Sequence, residues 1–390
     1  MKKRASFGLM ELSRNHTPRR FFFMYINNNK IFFDKITQVI NGNILNMLVK
    51  KYNTDYRTQH FDTSSHLLAM LFFQLKGLNS LRELQTNISN NNKLRKMINV
   101  PSVSQFSRKN ANRDYRVFEE LYYHIVNKAT KMFGLQRINK DLPIIKIIDS
   151  TMIDLPFNFV KEFRYDNKQK RSAVKVSTLF NGDFPEKIHI VSGKVNDRKC
   201  IDDMINNKDA IYLFDRGYSD YKWYDKLTDD KYKFITRQVS NACVEEIKST
   251  YVENDLIFDY EITMGTEYSK NKTEHTYREI LTFDENEEEF RLVTNIFDIP
   301  AEGIIALYKK RWKIELFFKW IKQNLKIKKC IGYSENAIKI QIYTALIMYM
   351  LLYIFKMKIN SKLSMLVLTR IIKVNILENF NESIEYLLTG

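Results

Sequence analysis

The sequence predicts an α/β protein in which a mixed sheet is flanked along the chain by helical regions. Apolar residues recur at spacings of three and four from Ile31 to about Phe133, and again from Ala301 to about Leu387, which is typical of amphipathic helices. Between Leu142 and Asn295, short apolar runs and period-two alternation replace that spacing and indicate strands. With 390 residues, 44% of them hydrophobic, the chain can form two or three domains with cores of their own.

The patterns divide the chain into five segments. They are a poorly ordered leader (1–30), a helical N-terminal domain (31–135), the first part of the sheet (142–240), a mostly β insertion (241–295), and the remaining core with C-terminal helices (296–390). In the helical N-terminal domain we expect helices at Ile36–Leu48, His66–Leu75 and Val117–Met132. We also expect Asn79 and Ser80 to form a capping box with Glu83.

The strands of the middle region follow from the same patterns. We expect strands at 144–148, 173–180, 186–192, 210–214 and 233–236, with helices near 198–206 and 220–227. Three further strands are expected at 256–263, 275–283 and 290–296. A block of strands between a sheet and a long helix is typical of an insertion into an α/β core.

The charge balance points to a polyanionic partner. Lys and Arg number 62 against 45 Asp and Glu, a net charge of +17 with a pI near 9.4, which favours nucleic acid. The stretch Ser102–Arg116 places four cations in the N-terminal domain, where they would contact DNA phosphates: Arg108, Lys109, Arg113 and Arg116. A solvated basic surface accounts comparably well for these charges.

Cysteine usage and hydropathy indicate a cytoplasmic protein without a membrane anchor. The three cysteines lack CxxC spacing, so neither a disulfide framework nor a zinc site is indicated: Cys200, Cys243 and Cys330. The apolar run Ile340–Phe355 is shorter than the roughly 20 residues that span a bilayer and predicts a buried helix. The run Phe21–Ile26 is too short for the core of a signal peptide.

Two aspartates follow predicted buried strands. Asp149 and Asp215 each come directly after such a strand, where catalytic groups collect in open α/β sheets. An acid at such a position is more often a turn former or a helix cap, so neither aspartate alone indicates a site.

A third acid lies on the predicted helix Ile304–Lys326. At about 100° per residue, four polar residues share an arc of about 60° beside the apolar stripe of this helix: Tyr308, Arg311, Glu315 and Lys322. Glu315 is thereby placed at the buried edge of the helix, where an unpaired acid is costly. The alternative is a structural ion pair between Glu315 and Arg311, four residues apart.

Three carboxylates that converge from two strand ends and a helix suit hard divalent cations. Mg²⁺ or Mn²⁺ is favoured over zinc because no His or Cys cluster accompanies the acids. Two ions about 4 Å apart can activate an attacking oxygen and stabilise a leaving one, which suggests a phosphodiester substrate. Nine Lys or Arg against the single acid Glu315 between Ile305 and Cys330 would compensate such a polyanion.

At these residues the sequence resembles the DDE transposases of bacterial insertion sequences, specifically the insertion-sequence-four group. The Y-x2-R-x3-E-x6-K signature of that group is met in full by Tyr308, Arg311, Glu315 and Lys322. The contexts "IIDST" at Asp149 and "DRGY" at Asp215–Tyr218 also match, as does "GYSENAIKIQIYTALI" downstream. The segment "HFDTSSHLLAMLFFQLKGLNSLREL" resembles a helical N-terminal domain of unknown function found in this group.

The resemblance implies a ribonuclease-H-like catalytic core that is interrupted by the β insertion. It implies that Asp149, Asp215 and Glu315 hold two Mg²⁺ or Mn²⁺ ions, and that the protein cuts the ends of its element and joins the 3'-hydroxyls to target DNA. It implies DNA contacts by five residues: Tyr308, Arg311, Lys322, Arg216 and Tyr218. Its partners would be double-stranded DNA, as terminal inverted repeats and target, and a second protomer when synapsed on DNA, at the bacterial nucleoid.

Two alternatives remain. A ribonuclease-H-like nuclease would share the three acids without the joining step. A catalytically inactive DNA-binding derivative would keep the basic helices and lose an acid, whereas all three acids are present in this sequence.

Overall fold

The computed structural model of the chain describes residues 30–134, 143–157, 161–239, 241–250, 256–265, 271–283, 288–324 and 331–380. The predicted leader, apart from Lys30, lies outside the described residues. Within these ranges, helices from both ends of the chain pack with one face of a ten-stranded sheet in a single hydrophobic core.

Seven helices precede the sheet in the described part of the chain. They are α1 (Phe32–Thr37), α2 (Gly42–Tyr52), α3 (Thr63–Lys76), α4 (Leu81–Ser89), α5 (Asn92–Arg95), α6 (Val103–Asn112) and α7 (Arg116–Phe133). The predicted helix at 36–48 is instead two helices, because the Asn41 side chain caps a new start at α2 by accepting from the N–H of Asn43. The predicted capping box is confirmed, with Ser80 Oγ accepting from the N–H of Glu83 at 3.1 Å.

The ten strands form one continuous sheet. They are β1 (Ile144–Leu155), β2 (Arg164–Asp166), β3 (Arg171–Phe180), β4 (Pro185–Ser192), β5 (Ala210–Phe214), β6 (Lys233–Arg237), β7 (Val244–Thr250), β8 (Phe258–Met264), β9 (Tyr277–Phe283) and β10 (Glu289–Thr294). Strand β1 is parallel to β5 and β5 is parallel to β6, while β3 is antiparallel to both β1 and β4. The predicted α/β class is confirmed, and β4, β3, β1, β5 and β6 form the ribonuclease-H-like core.

The insertion extends this sheet and does not form a separate one. Strand β10 pairs antiparallel with β6, and β9, β8 and β7 follow outward in that order. The edge of the core sheet at β6 is therefore covered by the inserted strands, which removes one exposed edge.

Strand β1 is longer than predicted. The prediction ended it at Ile148, but it runs to Leu155 because residues Ile147–Leu155 pair with β3 on the side away from β5. The parallel pairing with β5 does end at Ile148, opposite Phe214. Asp149 therefore lies inside a strand, at the point where its parallel ladder stops.

In the described residues after β5, five helices follow or cover the sheet: α8 (Tyr221–Asp229), α9 (Ala301–Lys309), α10 (Trp312–Asn324), α11 (Glu335–Lys358) and α12 (Met365–Asn375). Helix α8 packs on one face of the sheet in a core that includes Trp223, Tyr224 and Phe234. Helices α9 to α12 share the larger core on the other face with α1 to α7.

Helix α11 is the central helix of the larger core. By length and composition it could cross a membrane, yet 94% of its apolar window is buried inside the protein. It packs against α3, α6, α7 and α12. The prediction of a buried helix at Ile340–Phe355 is thus confirmed.

The N-terminal and C-terminal helices are joined through the backbone as well as through the core. Ile31 bridges Asn379, and the N–H of Phe32 donates to the carbonyl of Glu378 at 3.1 Å. The segment predicted as a separate N-terminal domain therefore packs as one layer with the helices that carry the candidate site.

Candidate active site

The two aspartates lie at neighbouring register positions, Asp149 within β1 and Asp215 directly after the adjacent parallel strand β5. Because Ile148 pairs with Phe214, Asp149 and Asp215 are the next residues in register, on strands about 4.8 Å apart. Asp215 follows β5 as predicted, and its carboxylate accepts from the N–H of Arg216 at 2.5 Å. Asp149 accepts from the N–H of Ser150 at 2.7 Å.

The predicted continuous helix is two helices. Helix α9 ends at Lys309 and α10 begins at Trp312, so Arg311 lies in the turn between them. The N–H groups of Lys310 and Arg311 donate to carbonyls three residues earlier, at 3.1 and 2.8 Å, which tightens the chain there. The predicted shared arc of Tyr308, Arg311, Glu315 and Lys322 is therefore wrong as a single helix face.

Arg311 nevertheless joins the sheet to the helix. Its Nη1 lies 3.4 Å from Asp149 Oδ2, and its Nη2 donates to Glu315 Oε1. The side chains of Arg311 and Asp149 are only 16% and 18% exposed. The guanidinium of Arg311 therefore bridges Asp149 and Glu315. The ion pair between Glu315 and Arg311, which the sequence allowed as the alternative to a metal site, is part of the same arrangement.

Burial and neighbouring carboxylates act on Asp149 together. The pKa of Asp149 is raised to about 6, mainly by burial and to a smaller extent by the charges of Asp215 and Glu315. The N–H of Ser150 and the guanidinium of Arg311 oppose that rise. The three acids therefore influence one another electrostatically, and a cation in addition to Arg311 would be stabilised among them.

The oxygen donors of Asp149, Asp215 and Glu315 suit a hard divalent cation. In this structure, however, Asp149 and Glu315 are paired with Arg311. The donors are carboxylate oxygens, which Mg²⁺ and Mn²⁺ prefer. Among the described residues, no three His, Cys, Asp or Glu side chains are grouped closely enough to hold one ion. Because Arg311 pairs with both Asp149 and Glu315, binding of a cation between those acids requires the guanidinium to turn away.

The five residues expected to contact DNA differ in exposure. Lys322 and Arg216 lie on the surface. Tyr308 and Tyr218 are buried, at 5% and 3% exposure, and the hydroxyl of Tyr308 faces the carbonyl of Phe214 at 3.4 Å. Arg311 is engaged with the acids. In this conformation the two tyrosines present no surface to DNA, because Tyr308 belongs to the larger core on one face of the sheet and Tyr218 to the core on the other face.

A further cation at the strand ends was missed in the sequence. Phe214 pairs with Thr236, so Arg237 at the end of β6 is in register with Asp215. Its guanidinium lies 4.8 Å from the ring centroid of Phe290, which in turn packs on Tyr308. The sequence did contain a sign of this residue. Arg237 directly follows the predicted strand 233–236, just as Asp149 and Asp215 directly follow the predicted strands 144–148 and 210–214.

A polar network on the opposite face of β1 was also missed. Ser150 Oγ donates to Asp197 Oδ1 at 2.6 Å, and Lys175 Nζ lies 3.1 Å from the same oxygen. Lys175 also donates to the carbonyl of Val195 at 2.6 Å. These contacts fix the strand beside Asp149, and sequence spacing alone gives no sign of them.

The basic stretch of the N-terminal region is largely engaged within the protein. Arg113 is 3% exposed, lies 3.3 Å from Asp55 and donates to the carbonyl of Phe61 at 2.8 Å. Arg116 pairs with Asp114, and Lys109 donates to Thr58. Three of the four cations expected at DNA phosphates therefore have polar partners within the protein, and of these three Arg116 stays exposed.

Two family models match the chain. Residues 140–351 match the transposase DDE domain, and residues 28–97 match a domain of unknown function, DUF4372. The first match spans the strands that carry both aspartates and the helix that carries Glu315.

Curated relatives are similar over a little less than two thirds of the chain. A putative transposase, y4zB, of Sinorhizobium fredii is 30% identical over 63% of this chain and 69% of its own length. A putative transposase for insertion sequence element IS4SA of Synechocystis is 31% identical over 64% and 70%, respectively. A probable transposase for element IS5377 of Geobacillus stearothermophilus is 26% identical over 64% and 66%.

Among solved structures, the chain is similar to the piggyBac transposase synaptic complex with hairpin DNA. The TM-score is 0.47 at 10% identity, over 93% of this chain and 83% of that one.

Proposed function

Because the chain belongs to the transposase DDE domain family, and is therefore a DNA transposase, we propose that three of its carboxylates carry the reaction. Asp149, Asp215 and Glu315 hold divalent cations. The enzyme cuts at the ends of its insertion sequence and joins the freed 3'-hydroxyls to target DNA. The family implies dependence on divalent metal, and the identity of the ions, Mg²⁺ or Mn²⁺, and their number, two, belong to the proposal.

One observation carries this assignment. Arg311 reaches Asp149 and Glu315 with one guanidinium, while Asp215 stands in register beside Asp149. The three acids come from residues up to 166 positions apart in the sequence numbering, from Asp149 to Glu315. A structural ion pair alone would not require the second aspartate on the adjacent strand.

The protein residues would act on the charge of the substrate. When bound, the divalent cations polarise the scissile phosphodiester and lower the pKa of the attacking oxygen. Arg311 exchanges its carboxylate partners for a DNA phosphate, since a guanidinium binds either anion in a bidentate manner. Its release from Asp149 and Glu315 leaves both acids free for cations.

The surface cations near the acids would position the DNA. Lys322 and Arg216 contact phosphates beside the scissile bond, and Arg237 joins them from the end of β6. Tyr308 supports Arg237 through the ring of Phe290. Direct contact of Tyr308 or Tyr218 with DNA requires a change of conformation that exposes their hydroxyls.

The remaining partners follow from transposition. The DNA is double-stranded, as terminal inverted repeats and as target, and two protomers synapse the two ends. The protein acts in the cytoplasm at the nucleoid.

The test is cleavage and joining of DNA that carries the element ends, with purified protein and Mg²⁺. Asp215→Ala should lose both cleavage and joining while end binding changes by no more than severalfold, and Asp230→Ala, an exposed acid at the end of α8, should keep both. Cleavage by Asp215→Ala protein would refute the assignment. Cleavage without joining by the unaltered protein would favour a plain ribonuclease-H-like nuclease, and no cleavage would favour an inactive DNA-binding derivative.

A further inference from the structure

Each aspartate of the candidate site has one carboxylate oxygen tied to the backbone of the next residue. Asp149 Oδ1 accepts from the N–H of Ser150 at 2.7 Å, and Asp215 Oδ1 accepts from the N–H of Arg216 at 2.5 Å. The other oxygen of Asp149, Oδ2, lies 3.4 Å from Nη1 of Arg311. The direction in which Asp149 presents Oδ2 therefore depends on where Ser150 is held.

Strand β1 loses one of its two neighbours just before Ser150. Its parallel pairing with β5 ends at Ile148, whereas its antiparallel pairing with β3 continues to Leu155. A segment with a partner on one side only has fewer hydrogen bonds to hold it in place. Asp149 and Ser150 thus lie where pairing with β5 no longer fixes the backbone of β1.

Asp197 holds Ser150 from the turn Asp197–Cys200, which follows β4. Ser150 Oγ donates to Asp197 Oδ1 at 2.6 Å, and Lys175 Nζ on β3 lies 3.1 Å from the same oxygen. Lys175 is buried and also donates to the carbonyl of Val195 at 2.6 Å, so it fixes the chain just before the turn. The side chain of Ser150 is therefore bound by an acid that β3 keeps in position.

The same turn also holds the segment that follows the second aspartate. It lies against the turn Arg216–Tyr218, which comes directly after Asp215. The guanidinium of Arg198 lies over the ring of Trp223, 4.5 Å from its centroid, and Arg198 Nε lies 3.6 Å from Asp220 Oδ2. Asp220 caps α8 by accepting from the N–H of Trp223 at 3.2 Å. Arg198 therefore connects the turn to the start of the helix that follows Asp215.

Stabilisation of the fold accounts poorly for these contacts. The side chains of Asp197 and Asp220 are 33% and 40% exposed, and ion pairs with that exposure contribute little to the free energy of unfolding. Strands β1 and β3 also pair from Ile147 to Leu155 through their backbones. Alignment of the two aspartates, which the turn contacts on both sides, explains the arrangement better.

We propose that Asp197 and Arg198 are positioning residues, which hold Asp149 and Asp215 at the separation and orientation that a divalent cation requires. Residues that orient metal ligands without touching the metal typically change its affinity by about 10- to 100-fold. The inference rests on the proposed function, because it takes Asp149 and Asp215 as ligands of the cation. It adds that Asp197 acts through Ser150 and does not itself bind the cation.

Calorimetric titration of Mn²⁺ into the DNA-free chain tests the proposal. Asp197→Ala removes the acceptor for Ser150 and should raise the Kd for Mn²⁺ about tenfold. Asp197→Asn keeps an acceptor oxygen and should stay within about twofold of the wild type, whereas a cation ligand would lose affinity with its charge. Arg198→Ala should raise the Kd about threefold, because its contact with Asp220 is long and partly exposed.

Two further variants separate positioning from folding. Ser150→Ala removes only the donating hydroxyl, leaves the pair of Asp197 and Lys175 in place, and should raise the Kd about tenfold. In urea titration it should keep the cooperative transition of the wild type, so that its loss of affinity cannot come from unfolding. Asp209→Ala, the matched control, removes an exposed acid before the other end of β5 and should bind Mn²⁺ as the wild type does.

Three results would overturn the proposal. They are a wild-type Kd for Asp197→Ala and Ser150→Ala, an equal loss of affinity in Asp197→Asn and Asp197→Ala, and a wild-type Kd for Arg198→Ala. Asp215→Ala in the same titration separates this inference from the proposed function. If Asp215→Ala loses Mn²⁺ while Asp197→Ala binds it normally, only the positioning role fails. If Asp215→Ala binds Mn²⁺ normally, or the wild type binds none, both fail.

Discussion

Replacing Arg311 by Ala should make the DNA-free protein bind Mn²⁺ more tightly while it weakens DNA cleavage. The guanidinium of Arg311 forms ion pairs with Asp149 and Glu315, so a metal cation must displace it from both carboxylates. A hydrogen bond between charged groups contributes about 1.5 to 3 kcal/mol. The 3.4 Å contact to Asp149 is long, and Glu315 is 34% exposed, so we take the lower end, about 1.5 kcal/mol in total.

That free energy corresponds to about a tenfold lower Kd for Mn²⁺. Isothermal titration of Mn²⁺ into wild-type and Arg311→Ala protein measures it directly. Arg311→Lys keeps the positive charge but loses the planar, two-pronged guanidinium. Its Kd for Mn²⁺ should therefore lie between those of the wild type and Arg311→Ala. Arg116→Ala removes a surface guanidinium that pairs with Asp114 and should leave the Kd unchanged. Equal or weaker Mn²⁺ binding by Arg311→Ala would show that Arg311 does not compete with the cation.

Three further predictions concern other parts of the chain. Arg278→Met should lower the free energy of unfolding by about 3 to 5 kcal/mol in urea titration, because Asp259, 4% exposed, loses its partner; a loss under 1 kcal/mol would contradict this. Arg237→Ala should weaken DNA binding and reduce the magnitude of its salt slope by about 1, and an unchanged slope would remove Arg237 from the phosphate contacts. Burial among phenylalanine rings lowers the pKa of His66 well below its usual value, so protonation favours the unfolded chain. The melting temperature should therefore fall as pH drops below about 6.5, the unfolded pKa, and His66→Leu should flatten that dependence; an equally steep fall in the variant would assign it to other groups.

The sequence was informative about the strands because their signals are local. Strand β5 has the predicted bounds, Ala210–Phe214, and β3, β4 and β6 differ from prediction by one or two residues. Apolar runs and alternation report burial directly, and the polar residues Asn181–Asp183 separate β3 from β4. Asp215 was placed correctly because β5 does end there.

The misses come from tertiary contacts that local patterns do not carry. An acid was expected to end β1, but the pairing of Asp149 with Thr178 continues the strand, and Arg311 approaches its carboxylate from another element. The break between α9 and α10 has no glycine or proline to mark it. From the sequence alone, Arg113 cannot be distinguished from a cation that contacts DNA. Its pairing with Asp55 is evident only in the folded chain.

The central claim is that Asp149, Asp215 and Glu315 share one site for divalent cations. Anomalous scattering from crystals of the protein with Mn²⁺ and DNA of an element end tests it most directly. We expect two manganese peaks whose ligands, at about 2.1 Å, include oxygens of all three carboxylates, with Arg311 turned toward a phosphate. Manganese bound by the two aspartates alone, with Glu315 still paired to Arg311, would contradict the claim.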